Sequence, residues 1–307
     1  MKRIEFHAMG SRMLAIVDTD SPDIEKTLAH VPGWFEEWEQ VLSRFRPESE
    51  LSQLNRSTGK PFTVSKTLWE VFHAARQAER FTNGLVTPTV LDALLLAGYD
   101  RSFELLPAVQ DVRTESAHAL PDFSEMVAWD APTRTMVLPD SVHIDLGGIA
   151  KGWAAQSAAK RLSRYGPALV DAGGDIAVYG LRPDGQAWPI GINDPFQSGS
   201  HFETLMMRRG GVATSGKDYH RWLQGGTWRH HIIDPRTGQP AATDILAVTV
   251  VAPTVLEAEA AAKAVLILGS QAGLDWLEAD SGLAGVLVLD SGERLYSRQI
   301  EEHLWKE

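Results

Sequence analysis

One stretch of the sequence combines an acidic side chain, paired glycines and a lysine at a spacing that suits a phosphate group. Asp145 is followed by Gly147 and Gly148, and Lys151 comes three residues later. Paired glycines let a backbone approach a ligand closely, and a helix that starts after them points free N–H groups at it. The spacing is neither that of a P-loop nor that of the Rossmann fingerprint. The alternative is a tight strand-to-helix turn with a solvated lysine.

A second stretch carries a histidine near a carboxylate. His231 lies three residues before Asp234, and Arg236 follows. A histidine with a nearby carboxylate can act as a general base near neutral pH. Together with His220 and His230 it could instead bind a transition metal. The structural alternative is a strand and turn whose histidines are partly buried and hydrogen-bonded.

An alanine-rich segment near the C-terminal end carries a third pair of charges. Glu259 and Lys263 are four residues apart, in the favourable orientation for a helix-surface ion pair worth about 0.2–0.5 kcal/mol. From the residues alone, this pair is a solvated face of a helix. A further glycine turn, 171–175, has the same form as the one after Asp145 and by itself indicates a tight bend.

The composition excludes several classes of protein. The 307 residues contain no cysteine, so disulfide scaffolds, cysteine-ligated zinc, iron–sulfur clusters and thiol nucleophiles are ruled out. With 29 basic and 40 acidic residues the net charge is −11, which argues against nucleic-acid binding. No apolar run is long enough to span a membrane, and the first residues do not form a signal peptide. We therefore expect a cytoplasmic protein with no membrane insertion.

Periodicity and turn residues predict the elements that position these groups. Neither a long repeat nor a marked linker divides the chain, so we expect a single domain over 1–307. A strand is predicted at 142–145, before the paired glycines, and a break in the first helix near Pro32. The other predicted elements are a strand pair at 4–8 and 13–17, helices at 23–42, 66–83, 149–164 and 254–268, and strands at 168–171 and 246–252.

Taken together and in this order, these motifs resemble the FAD:protein FMN transferase family, also called the ApbE family. The resemblance covers about residues 6–270. It is carried by eight segments, namely 9–11, 43–55, 83–90, 145–152, 171–175, 213–216, 231–238 and 248–269.

The resemblance implies a fold, a reaction and a set of site residues. The fold is α+β, with mixed or mainly antiparallel sheets and packed helices. Such enzymes bind FAD, split its pyrophosphate and attach FMN to a Thr or Ser hydroxyl of an acceptor flavoprotein, with release of AMP. His231 matches the catalytic base, which activates the hydroxyl. The positions that match flavin contacts are Met9, Phe45, Leu85, Val86, Thr87, Asp145, Lys151 and Ile233.

The sequence departs from the family at its Mg²⁺ site. The family uses a backbone carbonyl at the position of Gly148, with an Asp and a Thr on the late helix, where this chain has Glu259 and Lys263. A protonated ammonium cannot be a metal ligand, and Mg²⁺ demands near-ideal octahedral geometry. The family also usually has an acid at Thr87. We therefore expect an altered metal site, with Lys263 as a flavin-contacting cation in place of Mg²⁺.

Three alternatives follow from the same departure. The first is a non-catalytic FAD-binding protein, and the second is an FAD pyrophosphatase that releases FMN and AMP without a protein acceptor. The third, from a different class, is an interaction protein that retains only a relic of the cleft.

Overall fold

The computed structural model describes residues 1–111, 118–123 and 127–306. These residues form two compact units, each assembled from separate stretches of the chain. The first unit consists of Met1–Glu36, Lys151–Asp218 and Thr243–Glu307, and the second consists of Glu37–Ala150 and Tyr219–Ala242. The expectation of a single domain over 1–307 stays a prediction.

The described residues form seven α-helices and eighteen strands. The helices are α1 Ile24–Leu42, α2 Glu50–Arg56, α3 Lys66–Phe81, α4 Leu91–Leu96, α5 Ala150–Leu162, α6 Val255–Leu268 and α7 Ser270–Glu278. The strands are β1 Lys2–Ala8, β2 Ser11–Val17, β3 Phe62–Thr63, β4 Val109–Gln110, β5 Ala128–Asp130, β6 Thr135–Val137, β7 Ala168–Ala172, β8 Asp175–Tyr179, β9 Trp188–Asn193, β10 His201–Met207, β11 Gly210–Gly216, β12 Arg221–Gln224, β13 Thr227–His230, β14 Ile233–Asp234, β15 Gln239–Pro240, β16 Ile245–Ala252, β17 Ala284–Leu289 and β18 Arg294–Tyr296.

The first unit is built on one eight-stranded sheet in the order β1-β2-β7-β8-β11-β16-β17-β18, with every neighbouring pair antiparallel. The alanine-rich helix α6 packs on β11 and β16. Apolar side chains of the β9–β10 pair, among them Trp188 and Leu205, pack with Val212 and Val251 of the sheet. Because β16 is covered in this way, its burial is nearly continuous rather than alternating.

The second unit combines helices α2, α3 and α4 with three small sheets. Ser49 and Ser65 cap the first turns of α2 and α3, accepting hydrogen bonds from the amides of Ser52 and Leu68. The small sheets have the orders β13-β12-β4, β14-β15 and β3-β6-β5. One core of this unit is formed around Trp222, whose indole N–H donates to the Ala97 carbonyl at 2.7 Å.

Two sequence-based predictions are wrong. Helix α1 is not broken near Pro32 but runs on through it, because Val31 and Phe35 on either side are fully buried and hold the apolar face in place. Residues 142–145 are not a strand. The backbone groups of Ile144 bond to a side chain, Asn55, instead of to a neighbouring strand.

The α+β class with mainly antiparallel sheets is confirmed. Helices α5 and α6 lie within two residues of their predicted bounds. Among the described residues, no helix has both the length and the apolar character that crossing a membrane requires.

Candidate active site

Asp145 holds the paired-glycine turn in the second unit. Its Oδ1 accepts the amide N–H of Gly147 at 2.8 Å, and its Oδ2 lies 2.8 Å from Nε of Arg44. Both side chains are nearly buried, with 6% of Arg44 and 11% of Asp145 exposed. A carboxylate paired at this depth keeps its position well, since breaking the pair would leave a buried charge uncompensated.

A side-chain amide fixes the same turn one residue earlier. Asn55, at the end of α2, accepts the amide N–H of Ile144 at 2.9 Å and donates to its carbonyl at 2.8 Å. The Asp145 amide N–H then donates to the Pro88 carbonyl at 2.8 Å. The turn is thus tied to two neighbouring segments by directed hydrogen bonds, which pre-organise its backbone for a ligand.

An aromatic cluster connects Arg44 to His231. The Arg44 guanidinium lies over the rings of Phe45 and Tyr99, 4.1 Å and 4.7 Å from their centroids. The His231 ring is 6.5 Å from that of Tyr99 and 5.1 Å from that of His220. Burial raises the pKa of Tyr99 to about 12, with Asp145 contributing and Arg44 opposing. Phe45 is 39% exposed, so one ring of the cluster is available for stacking.

The neighbouring histidine has a structural role. Nε2 of His230 lies 3.1 Å from the Ala241 carbonyl, and Nδ1 accepts the amide N–H of Ile232 at 3.3 Å. This matches the structural alternative for His230. Among the described residues, no group of three His, Asp or Glu side chains is placed to hold a metal. A transition-metal site at His220, His230 and His231 therefore finds no support.

A tight hairpin follows His231. Asp234 accepts the amide N–H of Arg236 at 3.0 Å and forms an ion pair with its guanidinium at 2.8 Å. Ile233 is buried in the core around Trp222. Its side chain is therefore committed to packing, and a flavin contact at this predicted position would use the main chain.

The predicted contacts Leu85, Val86 and Thr87 lie after α3. The Thr87 hydroxyl donates to Oε1 of buried Glu79 at 2.8 Å, and the same oxygen accepts the amide N–H of Phe123 at 2.9 Å. The hydroxyl is thus directed into the core. Val86 is buried and Leu85 is half-buried.

In the first unit, a charge cluster lies at the start of α5. It consists of Lys151, Asp175, Glu259 and Lys263. Lys151 forms an ion pair with Asp175, whose side chain is 3% exposed. Burial lowers the pKa of Lys151, but Asp175 and Glu259 outweigh it and the net shift is upward. Lys151 therefore stays protonated over the whole physiological range.

Glu259 and Lys263 belong to the same charge cluster. Oε2 of Glu259 accepts the amide N–H of Gly152 at 3.1 Å, and Oε1 lies 3.1 Å from Nζ of Lys263. Glu259 is fully buried, while 18% of the Lys263 side chain is exposed. Burial raises the pKa of Glu259 to about 7, with Asp175 adding to the shift and the lysines opposing it. The pair is not the solvated helix face that the spacing alone suggests.

Two tight turns lie beside each other in the first unit. Met9 and Gly10 join β1 to β2, and both have positive φ, 47° and 67°. A left-handed methionine is uncommon, and such conformations cluster at functional positions. The Gly173 amide N–H donates to the Arg12 carbonyl at 3.1 Å, and that of Gly174 to Asp171 at 2.7 Å.

The residues at the expected metal positions do not fit Mg²⁺. Both oxygens of Glu259 already accept hydrogen bonds, one from a backbone amide and one from an ammonium. Lys263 offers a cation and no oxygen. Within the described part of the chain, no other group of acidic or histidine ligands replaces them. These positions therefore offer Mg²⁺ no set of free oxygen ligands from the two side chains.

Sequence reasoning missed several residues that build the site. Arg44 and Asn55 lie in the 43–55 segment. Nothing in their spacing indicates that Arg44 pairs with Asp145 or that Asn55 hydrogen-bonds to Ile144. Tyr99 lies outside every motif, and only its position between Arg44 and His231 reveals it. Asp175 stands in the 171–175 glycine turn, but the sequence of that turn does not indicate that its carboxylate pairs with Lys151.

The ApbE family model matches residues 9–287, and the chain belongs to this family. A relative from Treponema pallidum, named FAD:protein FMN transferase, is 31% identical over 263 residues, which are 80% of this chain and 72% of that protein. A relative of the same name from Salmonella typhimurium is 27% identical over 260 residues, or 82% and 74% of the two chains. The fold is similar to that of the ApbE protein of Thermotoga maritima, with a TM-score of 0.86 at 24% identity over 99% of both chains.

Proposed function

We propose that the protein is an FAD:protein FMN transferase. Membership of the ApbE family and the names of the Treponema and Salmonella relatives support this activity. In the reaction, the hydroxyl oxygen of a Thr or Ser attacks the phosphorus of the FMN half of FAD. The bond from that phosphorus to the bridging oxygen breaks, AMP leaves, and the hydroxyl proton passes to a base.

The observation that carries the proposal is the position of His231 in the second unit. Its ring belongs to the aromatic cluster that contains Tyr99 and contacts Arg44. Arg44 in turn holds Asp145, which holds the glycine turn. A base and a phosphate-binding backbone are thereby connected through rigid contacts. A hydroxyl is a weak nucleophile until an adjacent base takes its proton, and we assign that role to His231.

Different predicted contact residues bind the flavin ring and the phosphates of FAD in this proposal. Phe45 supplies an exposed ring for stacking. In the turn at 147–148 the Gly147 amide N–H already donates to Asp145, so we assign the phosphate contact to the backbone at Gly148. Met9, Lys151 and Lys263 remain proposed contacts in the first unit, and Leu85, Val86, Thr87 and Ile233 in the second. The hydroxyl of Thr87 is taken by Glu79, so we assign its contact to the main chain.

We also propose that the reaction proceeds without a divalent metal at the Gly148 and Glu259 positions. Charge that develops on the transferring phosphoryl oxygens needs a cation. Lys263, anchored by Glu259 and partly exposed, is the cation that we assign to this role. The acceptor flavoprotein is not identified, and the cytoplasmic location stays a prediction.

The decisive experiment is incubation with FAD and candidate acceptor flavoproteins, with and without EDTA, followed by mass spectrometry. A transferase adds one FMN phosphoester to the acceptor and releases AMP. Release of FMN and AMP without acceptor labelling would favour the pyrophosphatase alternative. Bound but intact FAD would favour the carrier alternative.

A further inference from the structure

A cavity of about 520 Å³ in the first unit is lined by none of the predicted flavin contacts. Tyr179, at one end of β8, lines it, whereas Asp175 of the charge cluster begins the same strand. At about 3.3 Å per residue the two positions are about 13 Å apart along the strand. The volume falls within the range of about 300–1,000 Å³ that ligand sites usually have.

The charge of the cavity is opposite to that of the protein. The chain carries a net charge of −11, yet Arg208 and Arg209 both line the cavity, and its described lining contains no carboxylate. Glu257 on α6 accepts a hydrogen bond at 2.8 Å from the hydroxyl of Thr254, a residue of the lining. Neither arginine has a hydrogen-bond or ion-pair partner among the residues that the structure describes.

The backbone conformation at 208 and 209 does not call for any particular residue type. They are the two residues between β10 and β11, and neither has a positive φ. Adjacent residues of an extended strand point to opposite faces, whereas this connection brings both to one cavity. Two adjacent guanidinium groups without carboxylate partners suit the oxygens of a phosphate, because each offers donors in a fixed fork.

Much of the remaining described lining is apolar. It contains Leu181, which is 37% exposed, and Pro253. The carbonyl of Gly180 accepts the indole N–H of Trp188 at 2.8 Å, which holds the backbone next to Leu181. Tyr179 also lines the cavity: burial raises the pKa of its hydroxyl, and the positive charge of Arg209 opposes the rise.

We propose that this cavity is a second ligand site, which takes a phosphate monoester: Arg208 and Arg209 bind the phosphate, and the wall of Tyr179, Leu181 and Pro253 packs against the organic group. The site is independent of the proposed transferase chemistry. A ligand there would contact β8 and β11, the strands that also border the charge cluster.

The test uses phenyl phosphate as the probe and calorimetry on the whole chain, with FAD at saturation. We expect wild-type protein to bind with a Kd of about 1 mM or tighter. The double variant Arg208→Ser with Arg209→Ser should bind at least about tenfold more weakly. Benzyl alcohol, which lacks the phosphate, should not bind.

Two further double variants distinguish specific binding in the cavity from a non-specific effect of the protein's net charge. Lys26→Ser with Lys60→Ser removes the same charge at exposed positions outside the cavity and should leave binding unchanged. Arg208→Lys with Arg209→Lys keeps the charge, loses the fork and should bind with intermediate affinity. Three results would overturn the proposal: no binding to wild type at about 20 mM, equal weakening in the Lys26→Ser with Lys60→Ser control, or probe binding that occurs only when FAD is left out.

Discussion

His231 is the single side chain on which the proposed chemistry depends. We expect His231→Ala to lower kcat by about 10²–10⁴, because the base acts on the proton of the acceptor hydroxyl. FAD affinity should change little, since the base does not contribute to binding of FAD before attack. The measurement is the rate of AMP release with acceptor present, beside an FAD titration. His30→Ala, an exposed histidine on α1, is the matched control, and wild-type turnover in His231→Ala would remove His231 from the mechanism.

Glu259 gives the protein a predictable pH dependence. Its pKa is raised from 4.5 to about 7 in the folded state, chiefly by burial. The folded state therefore binds more protons than the unfolded state between these values. The stability that this group contributes is fully present below about pH 4.5 and is lost as the pH rises through about 7.

We expect Glu259→Gln to flatten this dependence. In urea unfolding at a series of pH values, the free energy of unfolding of wild type should fall more steeply between about pH 5 and 7 than that of the variant. Glu37→Gln, at an exposed position on α1, should keep the wild-type slope. Equal slopes for wild type and Glu259→Gln would show that the carboxylate does not titrate in this range.

At the scale of elements, helix α5 depends on a glycine where α6 approaches it. A Cβ on Gly152 would lie 2.4 Å from Oε2 of Glu259, the atom that accepts the Gly152 amide N–H. Gly152→Ala should therefore destabilise the protein by about 1–3 kcal/mol. Gly33→Ala in α1 is the control, because a Cβ there meets nothing within 4 Å. It should stabilise by about 0.5–1 kcal/mol through helix propensity, and a comparable gain in Gly152→Ala would show that the added methyl group meets no clash.

The link between α2 and the glycine turn should also be measurable. Asn55→Ala leaves the amide and carbonyl of fully buried Ile144 without their partner, at a cost of about 1–3 kcal/mol in the free energy of unfolding. FAD affinity should fall as well, because the turn that follows is less well held. Asn193→Ala, an exposed position on β9, should change neither quantity. Unchanged stability and affinity in Asn55→Ala would mean that water replaces the amide.

For the whole molecule, FAD should raise the melting temperature by mass action. At a concentration of 100 Kd the stabilisation is about 2.7 kcal/mol. Since no divalent cation is needed in our proposal, EDTA should leave this shift unchanged. Lys263→Thr with Glu259→Asp should make the shift depend on Mg²⁺. A wild-type shift that disappears on chelation would contradict the assignment of Lys263.

Local patterns in the sequence predicted much of this molecule. The family, the α+β class and the bounds of α5 and α6 are confirmed. The helix bounds follow from helical periodicity and turn residues, which act over a few residues of the chain. The family and the fold class follow from the resemblance that the eight segments carry. The family resemblance also named His231 and the flavin contacts, which stay predictions.

Only the tertiary structure decided which distant groups meet. Asn55 and Ile144 are 89 residues apart and Gly152 and Glu259 are 107 apart, yet each pair forms a direct hydrogen bond. The spacing of Glu259 and Lys263 predicted a solvated ion pair, and burial by the sheet and α5 made it an interior one. The pattern at 142–145 predicts a strand, but the Asn55 side chain forms the hydrogen bonds with Ile144 that a neighbouring strand would otherwise form. Burial and pairing depend on how the chain crosses itself, and a linear pattern carries no information about those crossings.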